Sequence, residues 1–221
     1  GRHVLRNAII PILTVIGPGG TGKTRFSIEV ARLLAEDAEG GTVFVSLNYR
    51  VGIDGFMDLP DAPANRGLLD QVAALEWIQR HIKAFGGDPA RVTVAGGSAG
   101  AGAITCLLGM PRTKALFSRV ILQSPSVATQ TQTEARSSEH AICALLSVAC
   151  TEESMAGVPV ADCVSVISRL ADDTGLARSL GMTSRNFFPL RAVVDGEVLA
   201  EAPLSALQRH WKQRSPDLSI L

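Results

Sequence analysis

Residues 92–109 read Val-Thr-Val-Ala-Gly-Gly-Ser-Ala-Gly-Ala-Gly-Ala-Ile-Thr-Cys-Leu-Leu-Gly and contain the most informative local pattern of the chain. Residues 92–95 are short, apolar and rich in β-branched side chains, which predicts a buried strand. Glycine then surrounds Ser98, and this composition indicates a tight turn. Small side chains follow and predict a helix. The stretch is therefore predicted to form a strand, a turn and a helix in succession.

The same alternation extends to both sides of this unit. Short apolar runs predict further strands at residues 12–16, 42–47 and 120–122. Apolar residues at helical spacing predict helices at residues 23–36 and 68–85, and weaker patterns predict helices near 134–147, 160–171 and 204–213. Residues 48–65 are expected to form a loop. Alternating strands and helices favour an α/β fold, with a mostly parallel sheet flanked by helices.

Composition restricts the class of protein. The chain has 221 residues, 46% of them hydrophobic, and 21 basic residues balance 21 acidic ones. This composition fits a globular domain with a sizeable core and excludes a disordered chain. Nucleic-acid partners are not expected, because binding to phosphates requires an excess of basic residues in a cluster, and this sequence has no such excess. Four cysteines are too few for a disulfide scaffold. No signal-peptide pattern is visible, and no apolar run approaches the roughly 20 residues of a membrane span.

The turn around Ser98 carries a candidate for catalysis. Gly96-x-Ser98-x-Gly100 fits the G-x-S-x-G pattern, in which a sharp strand-to-helix turn projects the serine hydroxyl from the sheet. The N–H of the next residue, Ala99, would then point at a developing oxyanion. Ser98 is therefore a candidate nucleophile. The alternative is a glycine-rich turn without chemistry.

Several motifs stand in one order around this turn and resemble the type-B carboxylesterases, the cholinesterase-like branch of the α/β-hydrolases. The resemblance covers residues 42–124 and continues faintly at residues 193–196 and 203–204. The motifs are Asn48-Tyr49-Arg50-Val51-Gly52, Gly55-Phe56, Asn65-x-Gly67-Leu68-Leu69-Asp70-Gln71, Ala74-Leu75-x-Trp77-Ile78, Phe85-Gly86-Gly87-Asp88-Pro89, Arg91-Val92-Thr93, Gly96-x-Ser98-Ala99-Gly100-Ala101 and Leu122-Gln123-Ser124.

This resemblance implies a hydrolase of small carboxylic esters that needs no metal or cofactor, with Ser98 as nucleophile and Ala99 in the oxyanion hole. It implies one incomplete α/β-hydrolase domain over residues 1–221, with a divergent start (1–41), a core (42–124) and a helical later segment (125–221). It also suggests a disulfide between Cys150 and Cys163, which leaves Cys106 and Cys143 as buried thiols. Glycine at position 97 replaces the glutamate usual in the family, and removes a carboxylate from the predicted site.

A second glycine-rich segment has two interpretations. Residues 17–24 fit G-x-x-x-x-G-K-[ST], and residues 13–46 are similar to the start of signal-transduction ATPases. In that interpretation Gly22, Lys23 and Thr24 bind ATP with magnesium. In the esterase interpretation Gly19 and Gly20 donate N–H groups to the oxyanion. No convincing second magnesium ligand follows, since the strand predicted at 42–47 is followed by Asn48, and Val193-Val194-Asp195 is short and far away in the sequence.

The base and acid that a serine nucleophile needs are not found. In this fold the chain order is serine, then acid, then histidine, and the family's acid and histidine are expected beyond residue 221. His81, His140 and His210 do not match the family's motif. An inactive esterase-like fragment is therefore a further hypothesis.

Overall fold

A computed structural model describes residues 12–15, 43–182, 188–210 and 219–220. The chain divides into two compact units. The first comprises Gly1–Tyr49, Asp70–Val127 and Pro203–Leu221, and the second comprises Arg50–Leu69 and Ala128–Ala202. The described helices are α1 (Gly52–Phe56), α2 (Arg66–His81), α3 (Ala99–Gly109), α4 (Gln132–Leu146), α5 (Glu152–Ala156), α6 (Val160–Asp172), α7 (Thr174–Ser179) and α8 (Pro203–His210).

The first unit is built on a parallel sheet. Its described strands are β1 (Ile12–Val15), β2 (Phe44–Leu47), β3 (Thr93–Gly97), β4 (Arg119–Gln123) and β7 (Ser219–Ile220). Their spatial order is β2-β1-β3-β4-β7, and every pair is parallel. Strand β3 therefore lies in the middle of the sheet. The predicted α/β fold with a mostly parallel sheet is confirmed.

Helices of the first unit bury the apolar faces that the sequence pattern indicates. On α2 the residues Val72, Leu75 and Ile78 are buried, and the helix passes into a 3-10 turn at Ile82–Phe85. Helix α3 is buried along nearly its whole length, and α8 packs against it. This burial explains why α3 consists of small and apolar residues throughout.

The second unit is mainly helical, with one short parallel pair of strands, β5 (Thr129–Thr131) and β6 (Ala192–Val194). Its core contains Met57, Ile142, Met155, Val166 and Leu170. Helix α4 begins with a capping box: Glu134 N donates to Thr131 Oγ1 at 3.2 Å, and Thr131 N donates to Glu134 Oε2 at 2.8 Å. The helices predicted at 134–147 and 160–171 correspond to α4 and α6.

The prediction of a continuous loop at residues 48–65 is wrong, because α1 lies within it. The guanidinium of Arg66 holds this helix, donating to the carbonyl oxygens of Asp54 at 2.7 Å and of Ile53 and Met57 at 3.1 Å. Carbonyls at a helix end lack partners within the helix, and a buried cation stabilises them. Because this helix has only five residues and depends on hydrogen bonds from Arg66, which lies outside it, the sequence shows little helical periodicity there.

The predicted disulfide between Cys150 and Cys163 is also wrong in this structure, which pairs Cys143 with Cys150. Their Cα atoms are 5.7 Å apart. The physical reason is the end of α4, where Ser147 has a φ of 56° and turns the chain back over the last helical turn. Cys163 is a free thiol on α6. Cys143 was expected to be a buried free thiol, and this expectation is wrong because Cys143 forms the disulfide. Cys106 is a buried thiol as expected, and burial raises its pKa to about 12.

Peptide mapping tests this pairing directly. We expect cleavage after glutamate, with free thiols alkylated in denaturant and no reductant, to release residues 140–152 with both cysteines. This peptide weighs two hydrogens less than its reduced form, and Cys163 appears alkylated on a separate peptide. A cross-link between the peptides of Cys150 and Cys163 would contradict the pairing. Trypsin is unsuitable, because no Lys or Arg lies between these three cysteines.

Candidate active site

The candidate site is the turn between the central strand and the helix that follows it. Strand β3 ends at Gly97, α3 begins at Ala99, and Ser98 between them has φ 51° and ψ −115°. Such a conformation is strained for a residue with a side chain and costs on the order of 1–3 kcal/mol. Backbone bonds hold it in place: Ser98 N donates to Gln123 O at 2.8 Å, and Gly102 N donates to Ser98 O at 2.9 Å.

Two glycines allow the backbones around this turn to approach closely. A Cβ atom at Gly96 would lie 2.7 Å from the carbonyl carbon of Gly100 and 2.9 Å from Ala101 N. A Cβ atom at Gly102 would lie 2.5 Å from Ser126 O. Real Cβ atoms do not approach backbone atoms so closely. The glycines therefore decide how tightly α3 packs on β3 and on the segment after β4.

Ser98 and Ala99 offer a hydroxyl and a backbone donor at one exposed place. Both residues are exposed, and in the described part of the chain no hydrogen bond engages the Ser98 hydroxyl. Ala99 is the first residue of α3, so its N–H has no partner within the helix. The positive end of the helix dipole lies at the same place and favours negative charge. This arrangement can present a nucleophile beside a donor for an oxyanion.

The other predicted site residues fall in different places. Gly19, Gly20, Gly22, Lys23 and Thr24 lie outside the described residues, so both interpretations of that segment stay predictions. Over the described ranges, no group of three or more histidines, cysteines or carboxylates could hold a metal ion. None of the helices that the structure describes is both long enough and apolar enough to cross a membrane.

Three histidines lie among the described residues, and neither His81 nor His140 is bonded to Ser98. His81 ends α2 and is exposed, with its ring centroid 5.1 Å from that of Trp77. His140 lies on α4 in the second unit, where its Nδ1 is 2.7 Å from Arg136 O. His210 is the last residue of α8. Among the described residues, no hydrogen bond joins Ser98 to a histidine or a carboxylate.

Gln123 supports the turn in a way that sequence reasoning did not assign. Its carbonyl accepts the bond from Ser98 N, and its Oε1 would lie 3.6 Å from a Cβ atom at Gly97. Because Gln123 ends β4 beside the end of β3, parallel pairing places it there. In the sequence, Gln123 stands out only as part of the motif Leu122-Gln123-Ser124, at the end of an apolar run.

A serine turn on the central strand of a parallel sheet defines the α/β-hydrolase class, and a structural comparison agrees. The solved structure of a PNB esterase superposes with a TM-score of 0.71 at 31% sequence identity. That match covers 90% of this chain and 42% of the other. The model of the carboxylesterase family matches residues 6–220, so the chain belongs to that family. The resemblance to type-B carboxylesterases is confirmed.

Two curated relatives agree with this assignment. A probable N-octanoylanthranilate hydrolase, AqdA2, from Rhodococcus erythropolis is 53% identical over 87 residues, which cover 39% of this chain and 19% of that protein. A para-nitrobenzyl esterase from Bacillus subtilis is 44% identical over 115 residues, which cover 50% of this chain and 24% of that protein. The chain therefore matches a quarter or less of the length of these relatives.

Proposed function

We propose that this protein hydrolyses small carboxylic esters, with Ser98 as the nucleophile. The observation that carries the proposal is the strained, exposed Ser98 between β3 and α3, in a chain of the carboxylesterase family. A strained residue at an exposed turn is a reason to infer function, because the surrounding structure must hold it against its own preference.

The proposed reaction proceeds through an acyl-enzyme. The Ser98 oxygen attacks the ester carbonyl carbon and forms a tetrahedral intermediate, while a base takes the hydroxyl proton. The intermediate collapses, the C–O bond to the alcohol breaks, and the alcohol leaves with a proton. Water then attacks the acyl group and releases the acid, which restores the Ser98 hydroxyl. The scheme needs neither metal nor cofactor.

Backbone donors would stabilise the negative charge of the intermediate. We assign the N–H of Ala99 to this role, together with those of Gly19 and Gly20. The family match includes residues 17–24, which supports the oxyanion interpretation of that segment over binding of ATP and magnesium at Gly22, Lys23 and Thr24. In enzymes where one donor of an oxyanion hole has been removed, the barrier of the catalysed step rises by about 3–4 kcal/mol.

Turnover also requires a base and an acid that orients it. No histidine of this chain matches the family's motif, so we assign neither role. Positioned bases accelerate such reactions by about 10²–10⁴. The second hypothesis is therefore a folded but inactive esterase-like chain, and the experiment below separates the two.

A fluorophosphonate probe and a short-chain aryl ester test the proposal. We expect the wild-type chain to form a covalent adduct at Ser98 and to release the phenol, and Ser98→Ala to do neither. Ser124→Ala is the matched control, because Ser124 follows the neighbouring strand and also has a φ of 51°; this variant should behave as wild type. Equal labelling and hydrolysis in wild type and Ser98→Ala would overturn the proposal. A wild type that melts cooperatively yet forms no adduct would favour the inactive chain.

A further inference from the structure

The second unit contains a cavity of about 560 Å³, a volume that suits a small molecule. Its lining combines acidic groups with an apolar wall. The carboxyl groups belong to Asp58, Glu139, Asp195 and Glu197, and the apolar wall includes Leu59 and Val198. All of them belong to the second unit, and none takes part in the reaction proposed for Ser98.

Two of these acidic residues are buried, and their carboxyl groups have no hydrogen-bond partner among the described residues. Asp58 is 9% exposed and Glu139 is 5% exposed. In the part of the chain that the structure describes, neither side chain accepts a hydrogen bond or forms an ion pair. A buried carboxylate is unfavourable unless it is paired. Both groups face the cavity, so a ligand inside it could supply the missing donors.

The carboxylate of Asp195 differs from those of Asp58 and Glu139, because the fold supplies it with hydrogen-bond donors. Asp195 accepts from Asn65 Nδ2 at 3.1 Å and from the backbone N–H groups of Glu197 and Leu199. The fold therefore pairs Asp195 with its own donors. It leaves Asp58 and Glu139 without such donors.

The charges in the cavity lining indicate which class of ligand the cavity would bind. Arg136 and His140 also line the cavity, but both are exposed, and neither is bonded to Asp58 or Glu139 within the described residues. The four carboxyl groups outnumber the single permanent cation. A metal ion is not favoured, since no group of described residues has the ligands to hold one. An ammonium group has three donors and can donate to two carboxylates at once.

We propose that this cavity binds a small aliphatic ammonium ion, with its NH₃⁺ group donating to Asp58 and Glu139 and its alkyl chain against Leu59 and Val198. Burial raises the pKa of both carboxyl groups. For Glu139, Asp58 and Asp61 raise the pKa further, whereas His140 and Arg136 lower it. For Asp58, Asp195 raises the pKa further, whereas Arg136 and Arg66 lower it. The bound cation opposes these effects, so binding weakens as the pH falls and the carboxyls take up protons.

Calorimetric titration of the whole chain with n-butylammonium chloride at pH 7 tests the proposal, with 1-pentanol as the neutral ligand of similar length. We expect saturable binding of one butylammonium ion per chain and at least tenfold weaker binding of pentanol. Asp58→Asn and Glu139→Gln should each weaken butylammonium at least tenfold. Glu153→Gln, an exposed glutamate on α5 outside the cavity lining, should bind as wild type.

Thermal melting of the Glu139→Gln variant tests whether its loss of binding comes from unfolding. The raised pKa of Glu139 means that its charged form destabilises the native state, and this effect develops as the pH rises above the carboxyl's ordinary pKa of about 4. Glu139→Gln should therefore melt at a higher temperature than wild type at pH 7, and the difference should vanish below about pH 4. Equal binding of butylammonium and pentanol, no saturable binding by wild type, or unchanged binding in folded variants would overturn the proposal.

Discussion

Gly96→Ala is expected to lower the free energy of unfolding by about 3 kcal/mol and to abolish labelling of Ser98. The added methyl would lie 2.7 Å from the carbonyl carbon of Gly100 and 2.8 Å from Ile104 Cδ1. Gly100 is part of α3, so the clash is relieved only if the helix moves away from β3. That movement would also release the strained conformation of Ser98. Urea denaturation and fluorophosphonate labelling measure the two effects.

Gly97→Ala is the matched control, one residue along the same strand. Its methyl would meet only Gln123 Oε1 at 3.6 Å, an ordinary contact. We expect its free energy of unfolding to lie within about 1 kcal/mol of wild type. The alanine meets no clash, and it reduces the conformational entropy of the unfolded chain, which favours the folded state. Equal midpoints for the two variants would show that the close approach of α3 to β3 is not needed.

Asn65→Ala is expected to be the most damaging single change in the second unit. Asn65 is fully buried, with φ 56°. Its Oδ1 accepts from Val193 N at 2.8 Å, and its Nδ2 donates to Val193 O at 2.8 Å. Alanine would leave two buried backbone groups of β6 unpaired, at about 1–3 kcal/mol each. We expect a loss of at least about 3 kcal/mol, measured by urea denaturation, and faster hydrogen exchange at the Val193 amide.

Asn65→Gly separates the side-chain bonds from the backbone strain. Glycine loses the same two bonds but adopts a positive φ without strain, whereas alanine does not. Asn65→Gly should therefore be about 1 kcal/mol more stable than Asn65→Ala, while both exchange rapidly at Val193. Wild-type exchange at Val193 in either variant would show that this pairing does not hold β6.

Much of the first unit was predictable, because its signals are local. The apolar run before Gly96 marks β3, and the apolar period of residues 68–85 marks α2 and the 3-10 turn after it. The tight turn at Ser98 followed from the glycines on either side of it. These features depend on residues close together in the chain, where strand and helix periods are visible.

The second unit was less predictable, because distant residues hold it together. Helix α1 depends on Arg66, which follows it by ten residues, and β6 depends on Asn65, which precedes it by more than a hundred. Strand β5 has only three residues, too few to show a period. Asn65 belongs to a motif that the sequence displays, yet its partners cannot be read from that motif.

The α/β architecture, the family resemblance and the turn that presents Ser98 were all predictable from the residues alone, since each rests on local periodicity, on short motifs and on glycines at short spacing. Tertiary structure alone decided that β3 is the central strand and that Cys143 pairs with Cys150. It also brings Asp58 and Glu139 into the lining of one cavity, where neither carboxyl group has a hydrogen bond to another described residue. The physical reason is that pairing and burial depend on which distant segments pack together, and backbone turns such as the one at Ser147 decide where those segments go.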